Sequence, residues 1–199
     1  MYLVSLYFDE NTNKILERYI SLIAKKTGNT FMTENQVPPH MTIAAVEARE
    51  EEILKQAFWE FCTKYMNLNR FDKAISEESK MEQGSTQCGR FHIASTGQLF
   101  PYVFFASVVP TVYLQQMQQT LCEKMEKVDE LRIGKFYQQD NWLPHITLAK
   151  TLSKEQMRVA FETMQDHFVP IEASVVSIGL SKVKPYKEIL RCNLESSGK

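Results

Sequence analysis

Two hexapeptides, Pro39-His40-Met41-Thr42-Ile43-Ala44 and Pro144-His145-Ile146-Thr147-Leu148-Ala149, repeat one pattern 105 residues apart. With four histidines, seven prolines and 13 threonines in the chain, chance would give two Pro-His-x-Thr matches with odds of about 3 in 100,000. In an extended strand side chains alternate faces, so His40 and Thr42 point one way while Met41 and Ile43 point the other. His145 and Thr147 stand in the same relation to Ile146 and Leu148. Each copy therefore presents an imidazole and a hydroxyl from a strand whose opposite face is anchored in apolar surroundings. An imidazole titrates near pH 6.5, so of two that face each other one can be neutral and the other protonated. A base and an acid on either side of a reacting centre suit in-line phosphoryl transfer. One takes the proton of the attacking water or hydroxyl, the other protonates the departing oxygen, and the threonine hydroxyls donate to the non-bridging oxygens. The scheme needs no metal, and the sequence has no H-E-x-x-H.

The rest of the composition limits what that pair can act on. Among 199 residues, 44% are apolar and 23 basic side chains balance 24 acidic ones, a formal charge of −1. The chain can build a sizeable core, but it has no positive field to hold long duplex nucleic acid. Any phosphate must be gripped locally. No apolar run reaches the length needed to span a bilayer, so a soluble chain is expected, with no membrane partner. Met1 to Phe8 lacks a basic flank and a cleavage site, and reads as a first strand. Cys62, Cys88, Cys122 and Cys192 form no C-x-x-C pair and read as buried or idle thiols, which points to a reducing, cytoplasmic compartment.

Four stretches carry helical periodicity: Asn13 to Lys26, stopped at Gly28; Glu50 to Asn67, with an acidic start; a segment after Pro110 through Val128; and one opened by the capping-box spacing of Ser153 and Gln156. Their regularly spaced methionines read as core. Strand patterns lie at Tyr2 to Phe8, Met41 to Val46, Phe71 to Ser76, Phe91 to Ala94, Tyr102 to Val109, Ile146 to Ala149, Ile171 to Leu180 and Ile189 to Leu194. Ser76 to Gly89 and Asp129 to Asn141 read as loops. Helices interleaved with meanders favour an α+β fold over a doubly wound parallel sheet, with no linker dividing the chain 1–199.

At the two motifs the sequence resembles the two-histidine (2H) phosphoesterase superfamily, which includes bacterial 2′-5′ RNA ligase-like proteins and cyclic phosphodiesterases. Its signature is a pair of H-x-T/S-apolar motifs about half a chain apart, and both are intact. Trp142-Leu143-Pro144 resembles the family's aromatic approach to the second motif, Lys150 stands where members often have a basic residue, and Ser174 to Lys182 resembles the late strand. The first copy continues Ala44-Ala45-Val46 where many members have bulkier residues and a glycine. The resemblance implies a bilobal α+β fold, with two pseudo-twofold-related lobes around a central cleft, in one domain. It implies hydrolysis of 2′,3′-cyclic phosphates on nucleotides or RNA ends, without metal or cofactor, and 2′-5′ RNA ligation by the reverse path. His40 and His145 would be the acid-base pair and Thr42 and Thr147 would orient the phosphate. The expected partner is a small nucleotide or RNA terminus with a cyclic phosphate or 2′-5′ linkage, bound by a monomer.

Three further residues are candidates for substrate binding. Lys150 lies three positions past Thr147, so alternation sends it to the opposite face unless the strand ends or twists. Tyr186, in the basic stretch Lys182 to Lys187, is placed to stack on a base or to cap an exposed turn. Trp142, like Phe136 and Tyr137, borders the cleft or packs on a core strand. His92 and His167 lack the motif, and Gly84 to Gly89 lacks the ending of a nucleotide-triphosphate loop. Two alternatives stay open: a module that binds a nucleotide or RNA end without turnover, and a hydrolase using His40 and His145 as metal ligands.

Overall fold

A computed structural model describes residues 1–63, 89–183 and 186–194 of the chain. The fold is α+β. Strand β1 (Tyr2–Phe8) leads into helices α1 (Glu10–Thr27) and α2 (Phe31–Glu34), then strand β2 (Met41–Ala48) and helix α3 (residues 51–63). Strands β3 (Arg90–Leu99) and β4 (Val103–Val108) form a hairpin, followed by α4 (Val112–Glu126), β5 (Leu131–Ile133), β6 (His145–Lys150), α5 (Lys154–His167), β7 (Ile171–Val183) and β8 (Tyr186–Asn193). The expected strand at Phe71 to Ser76, the end of the second helix and most of the Ser76 to Gly89 loop lie outside the described residues. The stretch Asp129 to Asn141 is not a plain loop. Its Leu131-Arg132-Ile133 pairs antiparallel with β2, and two 3-10 turns follow at Lys135–Tyr137 and Gln139–Asn141. A three-residue strand with one charged member is too short for alternation to reveal.

Local chemistry sets the helix ends. The Asp9 side chain accepts from Thr12 N at 2.9 Å to open α1, and Gly28 closes it in the left-handed conformation, φ 70°. Ser153 and Gln156 make the reciprocal capping box expected for α5.

All strand pairings described are antiparallel. They run β1-β2-β6-β4-β3-β7, and β7 pairs again with β1, so the path returns to its start; β5 adds to β2 and β8 to β7. Exchanging β1 with β4, β2 with β6 and β3 with β7 reproduces the same neighbours, and α1, α3 answer to α4, α5. One face of these strands carries Val4, Leu6, Met41, Ile43, Phe104, Ala106, Ile146 and Leu148, all fully buried. Against it pack Leu16, Ile20 and Ile23 of α1, Leu54 and Phe58 of α3, Met117 and Leu121 of α4, and Met157 and Met164 of α5. Each such aliphatic or aromatic side chain contributes about 1.5–3 kcal/mol. The helical methionines are core residues, as their spacing predicts. With one face occupied by helices, the opposite face is left to the polar residues of the motifs.

Candidate active site

The two motifs meet at the seam between β2 and β6. Met41 pairs with Ile146, both with no exposure, and in this antiparallel register His40 lies across from Thr147 and Thr42 across from His145. The residues flanking the buried pair point to the other face, so two imidazoles and two hydroxyls share one patch. The positive form of His145 lowers the pKa of His40, a coupling that requires proximity.

Both histidines are held in the same way. His40 Nδ1 lies 2.8 Å from the Pro38 carbonyl and His145 Nδ1 2.8 Å from the Leu143 carbonyl, two residues upstream in each case. A carbonyl only accepts, so Nδ1 carries the proton and Nε2 is left with its lone pair for chemistry. Burial depresses the pKa of both imidazoles, outweighing the upward pull of those carbonyls; on His40 the charges of His145 and Lys150 act in the same downward direction. Burial therefore favours neutral imidazoles.

The repeat extends to a defect beside each motif. Thr42 pairs with Ser5 and Ala44 with Val4, leaving Ile43 as an extra residue; Thr147 pairs with Phe105 and Ala149 with Phe104, leaving Leu148 extra. The bulge corrects the expectation for Lys150. After Leu148 the alternation resets: Lys150 pairs with Val103, which shares a face with Phe105 and hence with Thr147. Lys150 is exposed on the site face and its charge reaches His40. Ala45 takes the corresponding place in the first copy, so the basic side chain is present on one side only.

Other residues near the motifs come from elsewhere in the sheet. Ser5, buried in β1, lies with Oγ 3.4 Å from Thr42 Oγ1, and Tyr137 hydrogen-bonds to the Thr42 side chain. Trp142 is partly buried and its indole N–H donates to the Thr42 carbonyl at 3.0 Å, tying the approach of one motif to the backbone of the other. The Tyr7 ring stands 6.2 Å from that of His40, and Phe105 is 5.4 Å from His145 in an edge contact. Both rings rest on glycines. A Cβ on Gly179 would come 2.7 Å from Tyr7 Cε2, and one on Gly97 2.7 Å from Phe105 Cζ. Arg191 lies over the Tyr7 ring, with Cζ 3.6 Å from the ring centroid, and pairs with Glu188. Burial, then the contact with Tyr186, raises the Tyr7 phenol well above its ordinary range, so it stays protonated. Tyr186 opens β8, its hydroxyl 3.3 Å from that of Tyr7. It is linked to His40 through Tyr7.

Sequence reasoning missed Ser5, Tyr7, Phe105 and Arg191, while Tyr137, read beside Trp142 as a residue that borders the cleft or packs on a strand, does reach Thr42. A signal existed for two of them: Ser5 interrupts an apolar strand, and Ser177-x-Gly179-x-Ser181 alternates small residues where a ring must lie down. Cys62, Cys122 and Cys192 are buried and unbridged, and burial pushes the Cys122 thiol up to about 12, so none is a ready nucleophile; Cys88 lies outside the described residues. Among the described residues no three His, Cys, Asp or Glu side chains come together as a metal ligand set, and no helix is long and apolar enough to cross a membrane.

Comparison with known families matches residues 34–184, about three quarters of the chain, to the 2'-5' RNA ligase superfamily. The matched span runs from α2 to β7 and contains both motifs. Comparison with curated proteins gives no match.

Proposed function

Because the chain belongs to the 2'-5' RNA ligase superfamily, the two-histidine phosphoesterases, we propose that it hydrolyses 2′,3′-cyclic phosphates on nucleotides or RNA ends by acid-base catalysis between His40 and His145. The observation that carries this reading is the Met41–Ile146 pairing, which sets both imidazoles and both threonines on one face across a local twofold.

Each imidazole presents Nε2 to the shared patch. One removes a proton from water as its oxygen bonds to phosphorus; the P–O bond to one ribose oxygen breaks, and the other imidazole delivers a proton to that oxygen. Thr42 and Thr147 donate to the non-bridging oxygens as their charge grows. Read in reverse, the same transfers join a hydroxyl to a cyclic phosphate, so 2′-5′ ligation needs no further group. Lys150 bears on His40 and favours its neutral form, which supports His40 as base and His145 as acid in the hydrolytic direction. Bound phosphate, being anionic, raises the pKa of the acid and recharges it in the complex.

The test is turnover of a 2′,3′-cyclic nucleotide with EDTA present. Activity should persist, and His40→Ala or His145→Ala should lower kcat by a hundredfold or more, the scale of general acid-base catalysis. Full activity in either variant refutes the mechanism.

A further inference from the structure

Three large rings stand together in solvent beside the motifs. Phe100, Tyr102 and Phe136 are 48%, 43% and 54% exposed. Phe100 stacks on Tyr102 at 5.9 Å with planes 14° apart, and meets Phe136 edge-on at 5.7 Å. They come from two separate segments, the β3–β4 turn and the 3-10 turn after β5. An exposed apolar cluster of this size marks a contact surface more often than an accident of packing. Phe100 also has φ 53°, a left-handed conformation that suits Gly or Asn and costs an aromatic residue of order 1 kcal/mol or more. That strain secures no burial for the ring.

Both segments lead into the site. From the turn, β4 runs to Val103 opposite Lys150 and to Phe105 opposite Thr147. Phe136 adjoins Tyr137, which bonds to Thr42. Cations accompany the rings: Lys135 Nζ lies 4.9 Å from the Phe136 centroid, and Lys150 pairs with Val103, the residue after Tyr102. Aromatic faces with interspersed lysines are what single-stranded nucleic acid needs, because every base has a π face and every link a phosphate. A local cluster of this kind also fits a chain whose net charge of −1 offers nothing to a long duplex.

We infer that Phe100, Tyr102 and Phe136 form a stacking platform for the bases next to the reacting phosphate, so that the substrate is the end of a single-stranded oligoribonucleotide in preference to a free nucleotide. The inference rests on the function proposed above, and its test separates the two. Turnover of a short oligoribonucleotide ending in a 2′,3′-cyclic phosphate is compared with that of the cyclic mononucleotide, in wild type and in Phe136→Ala and Tyr102→Ala, whose exposed side chains can be removed without opening the core. The oligomer should have the lower KM. Each substitution should raise that KM about 5- to 100-fold, the worth of one stacked base, while mononucleotide kinetics stay within twofold. Equal effects on both substrates, or none on the oligomer, overturn the platform. If neither substrate turns over, anisotropy of a labelled single-stranded RNA with a 3′-phosphate decides. Weaker binding by Phe136→Ala upholds the platform although the chemistry fails, whereas equal binding, or preference for duplex, overturns it.

Discussion

Gly179→Ala adds one methyl group where the structure has no room for it. The new Cβ falls 2.7 Å from Tyr7 Cε2, against an ordinary carbon contact of about 3.5–4 Å, so the ring must retreat by roughly 0.8 Å or more. It has little space to do so. Arg191 lies over the ring at 3.6 Å and is itself held by Glu188 and by a 3.3 Å bond to Ser177 Oγ, while the phenol meets Tyr186. The His40 ring stands 6.2 Å from that of Tyr7, near enough to register the shift. Overpacking of this kind costs about 1–3 kcal/mol of stability, and a displacement near 1 Å at a reacting group costs about a hundredfold in rate. Because the ring and Arg191 share the displacement, a loss of about 10- to 100-fold in kcat/KM is expected, with a lower melting temperature and a shifted His40 imidazole resonance. Tyr7→Leu removes the clashing atom. The double variant should therefore be about as stable as Tyr7→Leu alone, a departure from additivity that identifies the contact. Wild-type melting and kcat/KM in Gly179→Ala, or strictly additive stabilities, would refute the reasoning.

Four other expectations follow from the same geometry. Both imidazoles are depressed below their ordinary value, so in the free enzyme the acid loses its proton as pH rises toward 6.5. The kcat/KM profile should peak below pH 6.5 and fall above it, and that of kcat should fall at higher pH because bound phosphate restores the proton; a kcat/KM plateau from pH 7 to 8 contradicts this. Lys150→Met removes a positive charge that lowers the His40 pKa, so an NMR titration should show that pKa rising, with a higher KM for cyclic phosphate; no movement would place the charge out of reach. If His145 is the acid, an aryl phosphodiester with a good leaving group should recover most of its rate in His145→Ala and little in His40→Ala. Trp142→Phe strips the bond to the Thr42 carbonyl and should cost about 1 kcal/mol in chemical denaturation, and an unchanged midpoint would show that the indole is no tie.

The sequence by itself determined the chemistry and most of the elements. Helix periodicity, the Ser153–Gln156 box and the alternation of Met41, Ile43, Ile146 and Leu148 are local facts, and they defined the buried face and hence the outward direction of His40, Thr42, His145 and Thr147. β5 escaped because three residues carry too little pattern. The side of Lys150 was misjudged because alternation counts residues, while a bulge at Leu148 is visible only against the partner strand. Phe105 and Arg191 left no trace in the sequence, and the small residues that announce a ring do not say that it is Tyr7's, since what brings these side chains to the histidines is pairing across strands up to 179 positions apart along the chain, as between Tyr7 and Tyr186. Periodicity tells a residue which way to face; only the closed set of pairings tells it whom it faces. That is why the two motifs were legible as halves of a site while their register, Met41 on Ile146, was decided by the tertiary structure.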